Sequence, residues 1–365
     1  MNHKTAFEIL DLARWAPSGD NTQPWRFRVL APDHIEVQGF DTRRHCVYDL
    51  DGHPSQISHG ALLETLSIAA SAHGLRADAR RLPSPDEHPV YDVRLVADDS
   101  VAPSPLLPQV LVRSVQRRAL STQPITAFEK AALAQAVGPG FALRWLEAPR
   151  ERARVARLMY ANAGLRLTMP EAYRVHRDVI AWGSQFSDDR IPDQALGADA
   201  MTIRLMKTVM TSWERVAFFN RYLAGTVAPR LQMDLWPAYA CGAHVLIVPA
   251  APPTSIDDFV AGGRAVQRLW LTASALGLQH QPEMTPLIFG RYVAQGRRFT
   301  EVQAVQDSAV GLAARFRDVM GVPPEGVMWM GRLGAGVSAR SRSRRRPLAD
   351  LLDQPTARSG PALAI

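Results

Sequence analysis

Ser58-His59-Gly60-Ala61-Leu62-Leu63-Glu64-Thr65-Leu66-Ser67-Ile68-Ala69-Ala70-Ser71-Ala72-His73-Gly74-Leu75 aligns without a gap on Ala261-Gly262-Gly263-Arg264-Ala265-Val266-Gln267-Arg268-Leu269-Trp270-Leu271-Thr272-Ala273-Ser274-Ala275-Leu276-Gly277-Leu278, 203 residues further on. The pairs Gly60/Gly263, Leu66/Leu269, Ala70/Ala273, Ser71/Ser274, Ala72/Ala275, Gly74/Gly277 and Leu75/Leu278 are identical. Both segments read as helices rich in small residues, each ended by a Gly-Leu suited to a C-cap. Small side chains let a helix approach its neighbour closely, so both are expected to be central and buried, with strands following at Val90–Val96 and Val327–Gly331.

A shorter match supports the repeat: Thr5-Ala6-Phe7-Glu8 recurs as Thr126-Ala127-Phe128-Glu129, 121 residues on. In both copies Thr and Glu have capping-box spacing, so an amphipathic helix is expected to start at each. The two offsets differ by 82 residues, the net insertion expected between Ala148 and Trp236. That region has helical patterning over Val155–Leu167 and Met201–Leu223. Two matched elements in one order favour duplication over chance similarity between helices.

Composition sets the outer bounds. At about 150 residues per domain, 365 residues make roughly two domains. Hydrophobic residues at 47% and charged residues at 21% supply a core and argue against disorder. Trp236–Pro253 reads as a buried strand with turns, because a membrane span needs about 20 uninterrupted apolar residues. Cys46 and Cys241 provide neither a disulfide framework nor metal-ligand spacing, and Cys241 reads as a small buried residue. With no leader pattern at the start, a soluble cytoplasmic protein is the expectation. The net charge of +7 comes largely from Arg113, Arg117 and Arg118, and from Arg340, Arg342, Arg344, Arg345 and Arg346. Such clusters suit a small-molecule phosphate, a polyanion or a solvated tail.

The first helix runs into Ala13-Arg14-Trp15-Ala16-Pro17-Ser18-Gly19-Asp20-Asn21-Thr22-Gln23-Pro24-Trp25-Arg26-Phe27. Pro17 stops the helix, and Ser18 to Asn21 form a turn able to hydrogen-bond a planar heterocycle. On these residues alone the segment is an ordinary helix–loop–strand connection. It resembles, however, the signature loop of the FMN-dependent nitroreductase superfamily. The resemblance implies that Pro17, Ser18 and Asn21 contact the flavin ring, with Gln23 structural or adjacent to the ring.

That family's phosphate segment, Arg-x-Ser-x-Arg/Lys, is similar to Arg113-Ser114-Val115-Gln116-Arg117-Arg118. The resemblance places Arg113 on the FMN phosphate and Arg117 beside flavin N1/O2. Val115 stands where a hydroxyl is usual, and Ser114 is the substitute donor. It further implies Arg345, with Arg344 as alternate, as a phosphate ligand before Pro347-Leu348, and backbone donors near N5 from Pro282 and Glu283 within Gln281-Pro282-Glu283-Met284-Thr285. The second copy's ring loop has shrunk to Gly138-Pro139-Gly140, so the halves complement each other and imply one FMN site per chain. Such tandem chains resemble the Acg-like branch and the nitroreductase modules fused to ThiF-like domains.

The expected fold is α+β: a duplicated nitroreductase fold, folded as an intrachain pseudo-dimer with a helical insertion. Residues 1–105 form the first lobe and 106–352 the second, containing an insertion at about 150–235; 353–365 form a flexible tail. The expected function is an FMN-dependent oxidoreductase between NAD(P)H and a small organic acceptor. Alternatives are FMN storage without turnover and a biosynthetic dehydrogenase. Nucleic-acid binding ranks last, no membrane partner is expected, and the chain is a monomer or a homodimer. No side-chain nucleophile or acid–base dyad stands out, so Arg117 is assigned only to stabilise reduced flavin. Met201, Met206, Met210, Trp213, Phe218, Phe219 and Tyr222 either cap the flavin face or pack a helix pair. His45, His53, His59 and His73 read as surface or core residues, Asp188, Asp189, Asp257 and Asp258 as loop or cap carboxylates, and Arg340 and Arg342 as an exposed tail.

Overall fold

The computed structural model describes residues 2–353 and uses one motif twice. In the first lobe, helix α1 (His3–Ala13) leads into strands β1 (Trp25–Ala31) and β2 (His34–Gly39). Helix α2 (His53–Ser71) and strands β3 (Leu75–Leu82) and β4 (Val90–Ala97) complete it. The second lobe starts with helix α3 (Ala127–Val137) and strand β5 (Phe141–Leu146). Helices α4 (Pro149–Leu167), α5 (Pro170–Val179), α6 (Ala200–Val209) and α7 (Trp213–Tyr222) then intervene. Strand β6 (Ala243–Pro249), helix α8 (Ile256–Ala275) and strand β7 (Leu278–Pro282) resume the motif. Helices α9 (Thr285–Ala294) and α10 (Gln303–Met320) precede β8 (Trp329–Ala335), the last strand of the second four-stranded sheet. Both four-stranded sheets are antiparallel, ordered β1-β2-β4-β3 and β5-β6-β8-β7. The repeat in sequence is therefore a repeat of α-β-β-α-β-β topology.

The lobes join where α2 crosses α8. A Cβ on Gly60 would overlap the Val260 carbonyl oxygen, and one on Gly263 would overlap that of Ile57. Ile57 and Val260 are themselves 203 residues apart, so the contact is reciprocal, like an isologous interface within one chain. Each helix also reaches into the other lobe's core: Ile256 and Val260 pack with the first sheet, and Ile57 with the second. Polar pairs flank the crossing, with Gln267 donating to Thr65 at 2.9 Å and Arg268 to Glu64 at 2.9 Å.

Four expectations are corrected. Each Gly-Leu starts a strand directly: Gly74 and Gly277 adopt left-handed φ values of 65° and 74°, and Leu75 and Leu278 open β3 and β7. The expected strands at 90–96 and 327–331 are thus the fourth of each lobe. Thr5 does not cap α1; Asn2 lies one turn earlier and accepts the Thr5 N–H at 3.0 Å. The Thr126–Glu129 capping box forms in full. A second insertion, α9 and α10, separates β7 from β8, where the first lobe needs only residues 83–89. Finally, residues 348–352 close onto the first lobe, not the second as expected. Leu351 is buried in the first core, Leu352 bridges Phe27, and the Asp353 N–H donates to Phe27 O at 2.8 Å. The segment pairs with the open edge of β1 at Phe27. Beyond Asp353, the expected tail lies outside the described residues.

Candidate functional site

The loop leaving α1 carries three non-glycine residues in the left-handed region, Asp20 (φ 50°), Asn21 (62°) and Gln23 (50°). Such backbone persists only when its surroundings impose it. Ser18 Oγ accepts the Gln23 N–H at 2.9 Å. The Gln23 amide donates to Asn21 O (3.1 Å) and Asp188 O (2.8 Å), and its oxygen accepts the Arg346 N–H (2.9 Å). Asn21 donates to Arg344 O (3.2 Å) and Arg190 O (3.3 Å). Its Oδ1 is buried with no partner among the described residues. The loop is thus clamped by residues 188–190 of the insertion and by the C-terminal arginine segment. Gln23 holds the loop, and the NH2 group of Asn21 is occupied in the same way.

The arginine segments converge on this loop. Arg113, 6% exposed, donates to Trp15 O at 2.9 Å, and Arg345 donates to the adjacent Ala16 O at 2.8 Å. Arg342 donates to Leu111 O at 2.9 Å, and its guanidinium stands 5.4 Å from the Trp15 ring, as does that of Arg14. Among the described residues no carboxylate pairs with Arg113, Arg342 or Arg345. Burial, then Arg345 and Arg342, hold Arg113 well below its usual pKa; burial, Arg342 and Arg14 bring Arg345 down to about 9. Like charges partly withdrawn from water without a counter-ion are costly, and a bound dianion relieves that cost. Arg342, read as an exposed tail residue, therefore joins the cluster, because residues 342–343 pair with 186–187 and turn it toward Trp15. Arg344 turns outward to Asp188 at 3.4 Å, while Arg340 is exposed as expected.

Arg117 occupies a different end. Burial lowers its pKa to about 10, with Asp20 opposing and Arg332 adding to the shift. Its guanidinium donates to Ala195 O at 3.2 Å. Asp20 makes no hydrogen bond among the described residues; burial raises its pKa against the pull of Arg117. Between the two ends Val115 bridges His280, and the Gln116 N–H donates to His280 O at 3.0 Å, adding the segment to the edge of β7. Ser114 is half-buried and makes no side-chain hydrogen bond among the described residues.

The donors expected from Pro282 and Glu283 are not there. Pro282 has no N–H, and that of Glu283 donates to Met330 O at 3.0 Å. The Glu283 carboxylate is instead buried between His244 Nδ1 (2.7 Å) and Arg332 (2.9 Å). Burial favours neutral His244, but Glu283 outweighs it and raises the imidazole to about 10. Burial likewise favours the Glu283 acid, but His244 and Arg332 hold its pKa below the usual value. Cys241 lies 3.7 Å from His244 Nε2, yet that nitrogen donates to Ala238 O at 2.8 Å and both residues are fully buried. This Cys–His–Glu set is a structural anchor, since no base is free and no substrate can reach the sulfur.

The remaining histidines and carboxylates follow ordinary roles. His59 is a core residue donating to Pro24 O at 2.8 Å, His53 stacks on Phe259, and His45 and His73 are exposed. Asp258 caps α8, while Asp188 and Asp189 pair with Arg344 and Arg346. No group of three His, Cys, Asp or Glu among the described residues is arranged to hold a metal, and no helix there is long and apolar enough to cross a membrane. Trp15, Asp20, Arg332 and Arg342 escaped the sequence reading as site residues; Trp15 and Asp20 lay inside the quoted loop and so were within reach.

No family model matches the chain. A Mycobacterium tuberculosis protein named "Putative NAD(P)H nitroreductase" is 30% identical over 296 residues, covering 78% of this chain and 77% of that protein. An uncharacterized protein of the same organism is 24% identical over 285 residues, 77% of this chain, and the chain spans only 38% of that relative's length. Solved structures of a Bacteroides fragilis nitroreductase with bound FMN and a Mycobacterium smegmatis FMN-dependent nitroreductase in complex with NADPH cover 72% and 66% of this chain, and 99% and 94% of their own. Their identities are 13% and 14% and their TM-scores 0.32 and 0.33, too low to bear on the fold. On its match to the NAD(P)H nitroreductase relative, the chain belongs to the nitroreductase family.

Proposed function

We propose that the chain binds one FMN between its lobes and acts as an FMN-dependent oxidoreductase, passing hydride or electrons between NAD(P)H and a small organic acceptor. The observation that carries this reading is the convergence on consecutive carbonyls: Arg113 and Arg345 grip Trp15 O and Ala16 O at the root of the first-lobe loop. The cationic cluster without a carboxylate fits a phosphate dianion, and Arg113, Arg345 and Arg342 would hold it. At the other end Arg117, beside Asp20 and Arg332, fits the ring edge where negative charge develops on reduction. Bound FMN supplies hydride acceptance at N5. Pro17, Ser18 and the Asn21 oxygen offer the loop's contacts, Gln23 sets their geometry, and Ser114 follows Arg113 in sequence as a further donor. NAD(P)H as donor is taken from the name of the relative.

The reading also keeps two lobes, residues 1–105 and 106–352 apart from the returning segment 348–352, each with its own core and joined as a pseudo-dimer whose second ring loop is reduced to the turn at Gly138 and Gly140. Anaerobic stopped-flow mixing of the FMN-loaded protein with NADH and NADPH tests it. Bleaching of the oxidised flavin band by either nucleotide is expected. A flavin that stays oxidised with both would overturn turnover in favour of storage.

A further inference from the structure

We infer that the helical insertion builds a second small-molecule site, a pocket for an uncharged aliphatic molecule with one polar end. Helices α6 and α7 are amphipathic yet do not pack like core helices: α7 has no buried residue, and α6 buries only Thr202. They roof a cavity of about 350 Å³, within the size range of small-molecule sites. Of the two expectations for the insertion's apolar residues, the core-packed helix pair does not hold. Met206, Met210 and Phe219 line the cavity, while Met201, Phe218 and Tyr222 lie outside at 82%, 52% and 61% exposure.

The wall chemistry selects the ligand. Leu205, Met206, Val209, Met210 and Leu223 supply aliphatic and thioether surface, which adapts to a flexible chain. Most polar groups of the lining are already engaged. The Asn220 amide donates to Leu167 O (2.7 Å), the Tyr173 hydroxyl to Met210 O (3.2 Å) and the Thr202 hydroxyl to Asp199 (3.1 Å). Arg166 lines one end, but its charge is neutralised by Asp234, which it meets at 2.7 and 2.8 Å through a single nitrogen. Its other N–H groups have no protein acceptor among the described residues. His176, beside it, bonds the Tyr48 hydroxyl through Nε2 at 2.7 Å, leaving its other ring nitrogen unengaged. Burial, then Arg166, keep that imidazole neutral, lowering its pKa to about 3. The pocket therefore offers hydrogen bonds at one end without net charge, and a charged head group would lose hydration with no counter-ion.

Isothermal titration of the full-length protein with 1-octanol, octanoate and octylammonium tests this directly. Octanol is expected to bind, with both ions at least about tenfold weaker. Met206→Trp, or Val209→Phe should that variant misfold, fills the cavity and should weaken octanol by about tenfold or more. Asp234→Asn frees the Arg166 charge and should shift preference toward octanoate. Octanoate binding as tightly as octanol to the unaltered protein, or octanol binding absent or insensitive to cavity filling, would overturn the inference. No arm involves flavin, so this site and the FMN reading succeed or fail separately.

Discussion

The reciprocal crossing of α2 and α8 makes a prediction whose sign opposes ordinary helix propensity. In an exposed helix position Gly→Ala gains about 0.5–1 kcal/mol, because alanine loses less backbone entropy on folding. Gly311, exposed in α10 with nothing within 4 Å of its would-be Cβ, should behave so. At Gly60 the same methyl would overlap the Val260 carbonyl and come within 2.8 Å of Gly263 Cα; at Gly263 it would overlap Ile57 O. Neither obstacle is a flexible side chain, so the helices must separate, and overpacking of this kind costs about 1–3 kcal/mol. The spread between Gly311→Ala and either crossing variant is therefore about 1.5–4 kcal/mol. Because the two methyls would open one crossing, Gly60→Ala combined with Gly263→Ala should cost less than the sum of the singles. Urea denaturation of the four variants and the unaltered protein measures these differences. If Gly60→Ala and Gly263→Ala prove as stable as Gly311→Ala, the lobes do not meet as described.

Other expectations follow from the site. Arg113→Ala, Arg345→Ala and Arg342→Ala should each weaken FMN by about 1.5–3 kcal/mol, the worth of a charge-assisted hydrogen bond, while the exposed Arg340→Ala leaves affinity unchanged; a fluorescence titration in which Arg342→Ala matches Arg340→Ala would remove Arg342 from the cluster. Glu283→Gln breaks a buried ion network and should cost about 3–5 kcal/mol in denaturation. Since the His244 pKa is raised to about 10 from 6.5, its stabilisation is complete below the unfolded value and is lost as pH rises toward 10. The Glu283 contribution, with the folded pKa below 4.5, is present above that value and is lost as pH falls through the folded one. A flat stability profile from pH 7 to 10 in the unaltered protein would contradict the His244–Glu283 pairing. Gln23→Ala should cost about 1–3 kcal/mol by leaving the Arg346 N–H without its acceptor, and should lower FMN affinity indirectly; an unchanged melting temperature would show that the clamp contributes nothing.

Much of the fold was legible because it depends on patterns the chain carries twice. The small-residue stripes at Gly60 and Gly263 named the two central helices. Boundaries were less accessible: an asparagine one turn upstream displaced the cap from Thr5, and local spacing cannot rank two good caps. The α9–α10 insertion is not legible from the repeat because the match stops at Leu278 and these helices have no counterpart in the first lobe. At the site, residue types located the arginine cluster, but partners decide roles. Nothing in one sequence tells that the Asn21 amide is held by Arg344 O, that the Glu283 N–H is taken by Met330, or that Arg342 faces Trp15 while Arg344 faces solvent.

The proposed pairing of two unequal lobes around a single flavin fixes a stoichiometry. Saturating the purified chain with FMN, removing excess, and releasing the bound flavin by denaturation measures the stoichiometry directly. One FMN per chain is expected, with binding lost in the Arg113→Ala and Arg345→Ala double variant. Two flavins per chain, or none retained after saturation, would contradict it.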